Sequence, residues 1–218
     1  DIDAMVERTR SRPLPSGQVT ARQAKLFLIA QVAVGALVLL ALADPFAWAL
    51  GLASLSVVVI YPFMKRITSW PQSVLGLAFS WGALMGWAAA FGRLDWPPVL
   101  LYAGSILWVI GYDTIYAHQD REDDAIVGVR STALLFGERT PLYLSLFYGG
   151  AVLLFAAAFR LVGVSPVAYC GLAAFALHLA WQVKSLDISN PADCLRLFKS
   201  NRDAGLILFA GLVAEALV

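Results

Sequence analysis

Apolar residues dominate the chain in seven long runs separated by shorter polar segments. The runs cover about residues 26–43, 46–63, 74–91, 97–118, 142–162, 164–183 and 204–218. A helix of roughly 20 apolar residues crosses the hydrocarbon core of a bilayer. Strands of a membrane barrel alternate polar and apolar residues, whereas these runs are apolar on every face. The pattern predicts an all-α, polytopic transmembrane helical bundle with seven spans, the last of them short.

Proline-containing pairs mark the edges of several runs. They are Asp44-Pro45, Trp70-Pro71, Trp96-Pro97 and Ser165-Pro166. Proline interrupts the regular hydrogen bonding of a helix. These pairs therefore mark edges of the apolar runs, with Ser165-Pro166 just inside the sixth.

The composition supports a membrane protein. Hydrophobic residues make up 60% of the 218 residues, charged residues 14%, and the mean hydropathy is +0.72. An ordinary soluble domain is about 25% charged and needs a large polar surface at this size. A soluble globular domain, a disordered chain and a disulfide scaffold are thus excluded. Cys170 and Cys194 lack the spacing of a disulfide framework or a zinc site.

Positive charge is concentrated on one side of the predicted membrane. Fourteen of the 16 Lys and Arg residues fall in the segments 1–25, 64–73, 119–141 and 184–203, and only Arg93 and Arg160 fall on the other side. Loops rich in Lys and Arg stay on the cytoplasmic side. We expect an integral protein of a bacterial inner membrane, or of a mitochondrial one, with its functional loops on the cytoplasmic or matrix side.

Acidic residues crowd the end of the fourth predicted span. Asp113 lies at membrane depth, where an ionisable side chain is a functional candidate. If the helix continues through residue 124, Asp113, Tyr116, Asp120 and Asp124 share a stripe about 80° wide. Carboxylates one turn apart suit Mg²⁺, which takes one or two carboxylates besides water and phosphate oxygens. For Glu122 and Asp123 the simpler interpretation, a charged turn facing solvent, is favoured.

Basic residues on the same side would complete a phosphate site. They are Arg8 and Arg12 in the opening segment, Lys65 and Arg66 in the next loop, and Arg130 after the acidic cluster. Such groups suit a pyrophosphate held by Mg²⁺ and clamped by cations. No Walker A loop, GxGxxG turn or Ser/His/Asp arrangement is found, and the basic–aromatic interleaving needed for nucleic-acid binding is missing.

Four strings along the chain resemble the UbiA superfamily of intramembrane aromatic prenyltransferases. They are DIDAMVERTRSRPLPSG, YPFMKRITSWPQSVLGLAFSWGALMGWAA, YDTIYAHQDREDDAIVGVRSTALLFGE and KSNRDAGLILF. The likeness covers essentially the whole chain. It is strongest to the branch that prenylates 4-hydroxybenzoate in ubiquinone biosynthesis.

The resemblance implies nine transmembrane helices and two DxxxD motifs that bind Mg²⁺. Asp120 and Asp124 match the second motif, and Asp3 looks like the last carboxylate of the first. We therefore expect residues 1–218 to form one transmembrane prenyltransferase domain that lacks about two N-terminal spans.

The implied reaction joins a polyprenyl diphosphate to the ring of 4-hydroxybenzoate, ortho to its hydroxyl, within the lipid bilayer. Lys65 or Arg66 and Arg130 would neutralise the leaving diphosphate, and Arg66 is also a candidate partner of the benzoate carboxylate. Asp113 and Tyr116 would lie near the aromatic ring.

Three alternatives stay open. Another family member could use homogentisate, a naphthoate, haem or a chlorophyllide as the acceptor. A CDP-alcohol phosphotransferase also uses paired Asp and Mg²⁺, but its sequence pattern is not found here. A cation transporter predicts ionisable groups near the midplane, whereas these acids cluster at one interface.

Overall fold

The computed structural model describes residues 9–218. Four helices form its first half: α1 (Ala21–Ala41), α2 (Pro45–Ile60), the single turn α3 (Met64–Ile67) and α4 (Pro71–Phe79). They are followed by α5 (Gly82–Phe91), α6 (Trp96–Ala117), the short helices α7 (Arg121–Val127) and α8 (Thr132–Phe136), α9 (Thr140–Val162), α10 (Pro166–Ser185) and α11 (Pro191–Glu215). Short 3₁₀ turns cover Tyr61–Phe63, His118–Asp120 and Gly137–Arg139. No strand occurs in this part of the chain, which confirms the all-α prediction.

Six helical segments within the described residues are long and apolar enough to span a membrane. They are Ala21–Ala41, Pro45–Ile67, Pro71–Phe91, Trp96–Val127, Thr132–Val162 and Pro166–Ser185. The protein is therefore an integral membrane protein. The predicted seventh span, 204–218, is the C-terminal part of α11, whose first half is charged and begins in a polar loop.

Local sequence signals explain where the helices begin. Helices α2, α4 and α10 start at Pro45, Pro71 and Pro166, and α6 starts at Trp96. Asp44 caps α2 by accepting a 2.7 Å hydrogen bond from the Ala47 N–H. Side-chain oxygens of Ser165 and Asn190 cap α10 and α11 in the same way.

The third predicted span is interrupted rather than continuous. Helix α4 ends at Phe79 and α5 begins at Gly82, so Ser80 and Trp81 lie in a break near the middle of the span. The Trp81 indole N–H donates to the Leu50 carbonyl of α2 at 3.1 Å, which holds the break against the neighbouring helix.

The packed core lies among α6, α9, α10 and α11. Ile115, Leu144, Phe155, Phe175 and Leu197 are all at most 2% exposed and belong to one cluster. Helix α1, in contrast, has no buried residue, and its apolar side chains are turned outward. The core therefore holds the later helices rigid and supports the loop that joins α6 to α9.

Helices α10 and α11 approach each other at two facing glycines. A Cβ added at Gly171 would lie 2.6 Å from the Gly211 Cα. Because the clashing atom belongs to the backbone, the backbone would have to move to accommodate it. We expect Gly171→Ala to destabilise the protein by about 1–3 kcal/mol through overpacking, measured as a lower melting temperature in detergent. Gly149→Ala on α9 is the matched control, because its Cβ meets nothing within 4 Å. Equal melting temperatures for both variants would contradict this packing.

Candidate diphosphate and metal site

The acidic cluster forms a turn between two helices and not the end of one helix. Helix α6 stops at Ala117, the 3₁₀ turn His118–Asp120 follows, and α7 begins at Arg121. The condition for the expected stripe from Asp113 to Asp124, an α-helix that continues through residue 124, is therefore not met, because a 3₁₀ turn interrupts the helix. Asp120 and Asp124 are nevertheless buried, with 5% and 1% exposure.

The remaining acids of the turn differ from this pair. Glu122 is exposed and Asp123 is half-buried, and the exposure of Glu122 agrees with the expected charged, solvent-facing turn. Burial of a carboxylate is costly unless a counter-charge or hydrogen bonds compensate it. Asp120 and Asp124 are therefore the members of the cluster that the fold holds inside.

The chain turns back after α7 and meets the loop that follows α2. Gly128 adopts the left-handed conformation, with φ of +77°, which a residue with a side chain rarely takes. The Arg130 N–H then donates to the Lys65 carbonyl at 2.9 Å, and its Nη1 donates to the Ile67 carbonyl at 3.0 Å. These bonds join two basic segments that are distant in the sequence.

Lys65 brings positive charge to the buried acid. Its Nζ lies 3.8 Å from Asp124 Oδ2, while the Lys65 side chain is 44% exposed. The ammonium group thus compensates the buried carboxylate on one side and is accessible on the other. Arg66, one residue on, is exposed.

Buried hydrogen bonds stabilise the segment that follows α7. The Thr132 N–H donates to Gln72 Oε1 at 3.2 Å, and the Thr132 hydroxyl is 2.6 Å from that of Thr114 on α6. Ser131 caps α8 by accepting from the Leu134 N–H. Sequence reasoning missed Gln72 and Thr114, although Gln72 is a polar residue next to the helix-starting proline and could have been noticed there.

Gln72→Met is expected to loosen this loop. The substitution keeps the side-chain volume but removes the acceptor of the Thr132 N–H, and a buried donor left unsatisfied costs about 1–3 kcal/mol. The melting temperature should fall, and so should any activity that depends on Arg130. A variant as stable as the parent would show that Gln72 does not hold the loop.

The predicted polar residues of α6 lie beside this site. Asp113 is half-buried. The Tyr116 ring packs on Phe198 of α11, with the centroids 4.3 Å apart. Asp3 and Arg8, the other two predicted site residues, lie outside the described residues.

A polar cavity of about 790 Å³ opens beside the acidic turn. Asp120 and Asp123 line it together with Ile188 and Ser189 of the loop between α10 and α11. Hydrogen bonds from Ser189 to Asp187 hold the pKa of that carboxyl below its usual value. Asp120 therefore borders an open, negatively charged space, whereas Asp124 faces Lys65.

The donor set at the turn fits a hard cation. Two buried carboxylates come from one turn, and within residues 9–218 no group of three His, Cys, Asp or Glu side chains could enclose a metal. A site with two carboxylates leaves coordination positions for water and substrate oxygens, as Mg²⁺ requires.

The whole-chain comparison decides the family. Residues 1–210 match the UbiA prenyltransferase family. The chain belongs to the UbiA prenyltransferase family. Members of the family generally use a divalent metal, which agrees with the donor set at the acidic turn.

Curated relatives in the UbiA family share nearly half of their aligned residues with this chain. The mitochondrial 4-hydroxybenzoate polyprenyltransferase of Aedes aegypti is 48% identical over 218 residues, which cover 100% of this chain and 49% of that protein. The mitochondrial protein of the same name from Rattus norvegicus is 48% identical over 219 residues, covering 98% and 57%. The chain thus spans about half the length of the curated relatives it matches.

Solved structures agree with the fold. The apo structure of a UbiA homolog from Aeropyrum pernix K1 has a TM-score of 0.81 at 26% identity, covering 99% of this chain and 80% of that one. A digeranylgeranylglyceryl phosphate synthase structure has a TM-score of 0.70 at 21% identity, covering 99% and 78%, and it supports the UbiA fold alone.

Proposed function

We propose that this chain carries the catalytic loops of an enzyme that transfers a polyprenyl group from its diphosphate to the ring of 4-hydroxybenzoate. The reaction would be a membrane step of ubiquinone biosynthesis. The relatives with 48% identity carry the name 4-hydroxybenzoate polyprenyltransferase. Their names include "mitochondrial", which suits an inner membrane with the basic loops on the matrix side, or on the cytoplasmic side in a bacterium.

The pairing of Lys65 with a buried acid, beside a segment to which Arg130 is bonded, is the observation that carries this proposal. Arg130 is bonded to the backbone of α3, and Lys65 lies 3.8 Å from Asp124. A diphosphate needs both positive groups and a metal counter-charge, because it carries several negative charges at once.

Mg²⁺ is the metal that we propose, and Asp3, Asp120 and Asp124 are the residues that would hold it. When bound, it would compensate the charge of the diphosphate and so make it a better leaving group. Asp120 lines the polar cavity and Asp124 lies by Lys65; water and substrate oxygens would supply the remaining ligands of the ion.

The chain's own residues would stabilise the departing diphosphate. As the bond between the first prenyl carbon and the diphosphate oxygen breaks, negative charge grows on that oxygen. Lys65, Arg66 and Arg130 would meet this charge, and Arg8 and Arg12 would close the site from the opening segment. Their cationic groups need no proton transfer to do so.

The aromatic ring would then attack the allylic cation left behind. The electrons of the new carbon–carbon bond come from the ring, which afterwards loses the proton at the attacked carbon. We propose that Asp113 and Tyr116 lie near this ring, one to two helical turns before Asp120. The apolar faces of the helices would hold the prenyl tail.

A transfer assay tests the proposal directly. Membranes from cells that express the protein receive labelled 4-hydroxybenzoate and a polyprenyl diphosphate, with Mg²⁺ or with EDTA. We expect label in a lipid-soluble product only with Mg²⁺. A product from homogentisate or a naphthoate, with none from 4-hydroxybenzoate, would overturn the acceptor and keep the reaction class. No product from any acceptor would overturn the reaction class too.

A further inference from the structure

A groove of about 550 Å³ lies between α9 and α10. We call it the α9–α10 groove. Its floor includes Tyr148 and Leu179, which belong to the packed core, and its rim includes Leu153, which is 72% exposed. Both helices belong to membrane-spanning segments. The α9–α10 groove therefore opens away from the core, toward the hydrocarbon chains of the bilayer.

The α9–α10 groove lies within one half of the membrane. Helix α9 begins, and α10 ends, next to the loops that carry most of the Lys and Arg residues. Ser145 and Lys184 line the end of the groove near these loops, and Leu153 and Ala176 line the other end. The two ends are eight residues apart on each helix, 145–153 and 176–184, which is about 12 Å. Half of the hydrocarbon core measures about 15 Å, so the groove has nearly the depth of one lipid leaflet.

The polar side chains within the groove already have protein partners. The Tyr148 hydroxyl donates to Gln182 Oε1 at 2.9 Å, and the Ser145 hydroxyl donates to the Pro141 carbonyl at 2.8 Å. Gly149 also lines the groove, and a Cβ added there would meet nothing within 4 Å. The space along the two helices is therefore open, and it offers a ligand mainly apolar contact.

Lys184 places a positive charge at the mouth of the groove. It is exposed, and among residues 9–218 it makes no ion pair. Trp181, one turn earlier on α10, is 41% exposed, and tryptophans are enriched at the level of the lipid headgroups. The Lys184 ammonium group thus lies at headgroup depth, above an apolar groove that descends into the leaflet.

We propose that the α9–α10 groove binds an anionic phospholipid of the leaflet next to the basic loops. One acyl chain lies along Gly149, and the phosphate pairs with Lys184. Basic pockets between transmembrane helices bind anionic headgroups in this way. A zwitterionic lipid would make the same apolar contacts but gain less from Lys184, because its own cation offsets its phosphate.

Lipid binding to the purified protein in a neutral detergent tests this assignment without turnover. Phosphatidylglycerol and phosphatidylcholine with the same acyl chains are titrated, and bound lipid is counted by mass spectrometry of the intact complexes. We expect the first phosphatidylglycerol to bind about fivefold more tightly, as one lysine near an anionic headgroup provides. Lys184→Met should abolish this preference, and Lys184→Arg should keep it. Lys199→Met is the control, because that lysine is also exposed but lies on α11, outside the groove.

A larger side chain at Gly149 tests the groove itself. Gly149→Leu should fill the space and weaken the binding of both lipids, while the melting temperature stays near that of the parent. An unchanged preference in Lys184→Met, or unchanged lipid binding by a folded Gly149→Leu variant, would overturn the proposal. A dimer in detergent that Gly149→Leu dissociates would also overturn it, since a second copy would then cover the groove. If Gly149→Leu fails to fold, the comparison of Lys184→Met with Lys199→Met decides alone.

Discussion

Asp124→Asn is expected to lower prenyl transfer at least about 100-fold while leaving the protein in the membrane. Removing a single group that stabilises developing charge typically costs this much. Asparagine keeps the shape of the side chain but carries no charge to hold a cation. Asp124 is 1% exposed and faces the Lys65 ammonium, so water cannot take over the interactions of the lost carboxylate.

The matched control is Glu122→Gln in the same turn. This substitution also removes one negative charge, but Glu122 is exposed. The transfer rate of the variant should stay within about threefold of the parent's, because exposed charges are screened by solvent. Both variants are compared by transfer rate per amount of membrane-inserted protein, across a range of Mg²⁺ concentrations. A near-normal rate for Asp124→Asn, or an inactive Glu122→Gln, would show that the metal site is assigned to the wrong carboxylates.

Most of the helices could be predicted from the sequence, because a membrane span is a local property. Twenty apolar residues and a proline in the first turn determine α2 and α10 without reference to the rest of the chain. The break at Ser80 was not predicted, although Ser80 and Gly82 are residue types at which helices commonly bend. A tertiary contact accompanies it, the hydrogen bond from Trp81 to the Leu50 carbonyl.

The candidate site was predictable in its residue types but not in its geometry. The sequence indicated Asp120, Asp124 and Lys65 from charge and spacing, and the fold brings Lys65 to Asp124. The regular helical projection failed because α6 ends at Ala117. Gln72 escaped notice because its role is a hydrogen bond to a residue 60 positions away, which no local pattern encodes.

Lys65→Met is expected to raise KM for the prenyl diphosphate about tenfold or more, and Lys65→Arg should recover part of the loss. The Lys65 ammonium group lies 3.8 Å from Asp124, and 44% of the Lys65 side chain is exposed. The group can therefore contact an anionic substrate from the exposed side. Lys25→Met on α1 is the control, because that lysine is exposed and belongs to a helix without buried residues. An unchanged KM for the diphosphate would remove Lys65 from the site.

A double-mutant cycle then tests whether Lys65 and Asp124 act on the same step. If both groups serve the diphosphate, the double variant should be little worse than Asp124→Asn alone, because groups that act as a unit are not additive. Two independent contributions would instead multiply, and the double variant would lose the product of the single effects. The cycle is measured as kcat/KM for the diphosphate at saturating acceptor. Multiplicative losses would mean that Lys65 and Asp124 contribute independently, despite the 3.8 Å contact between them.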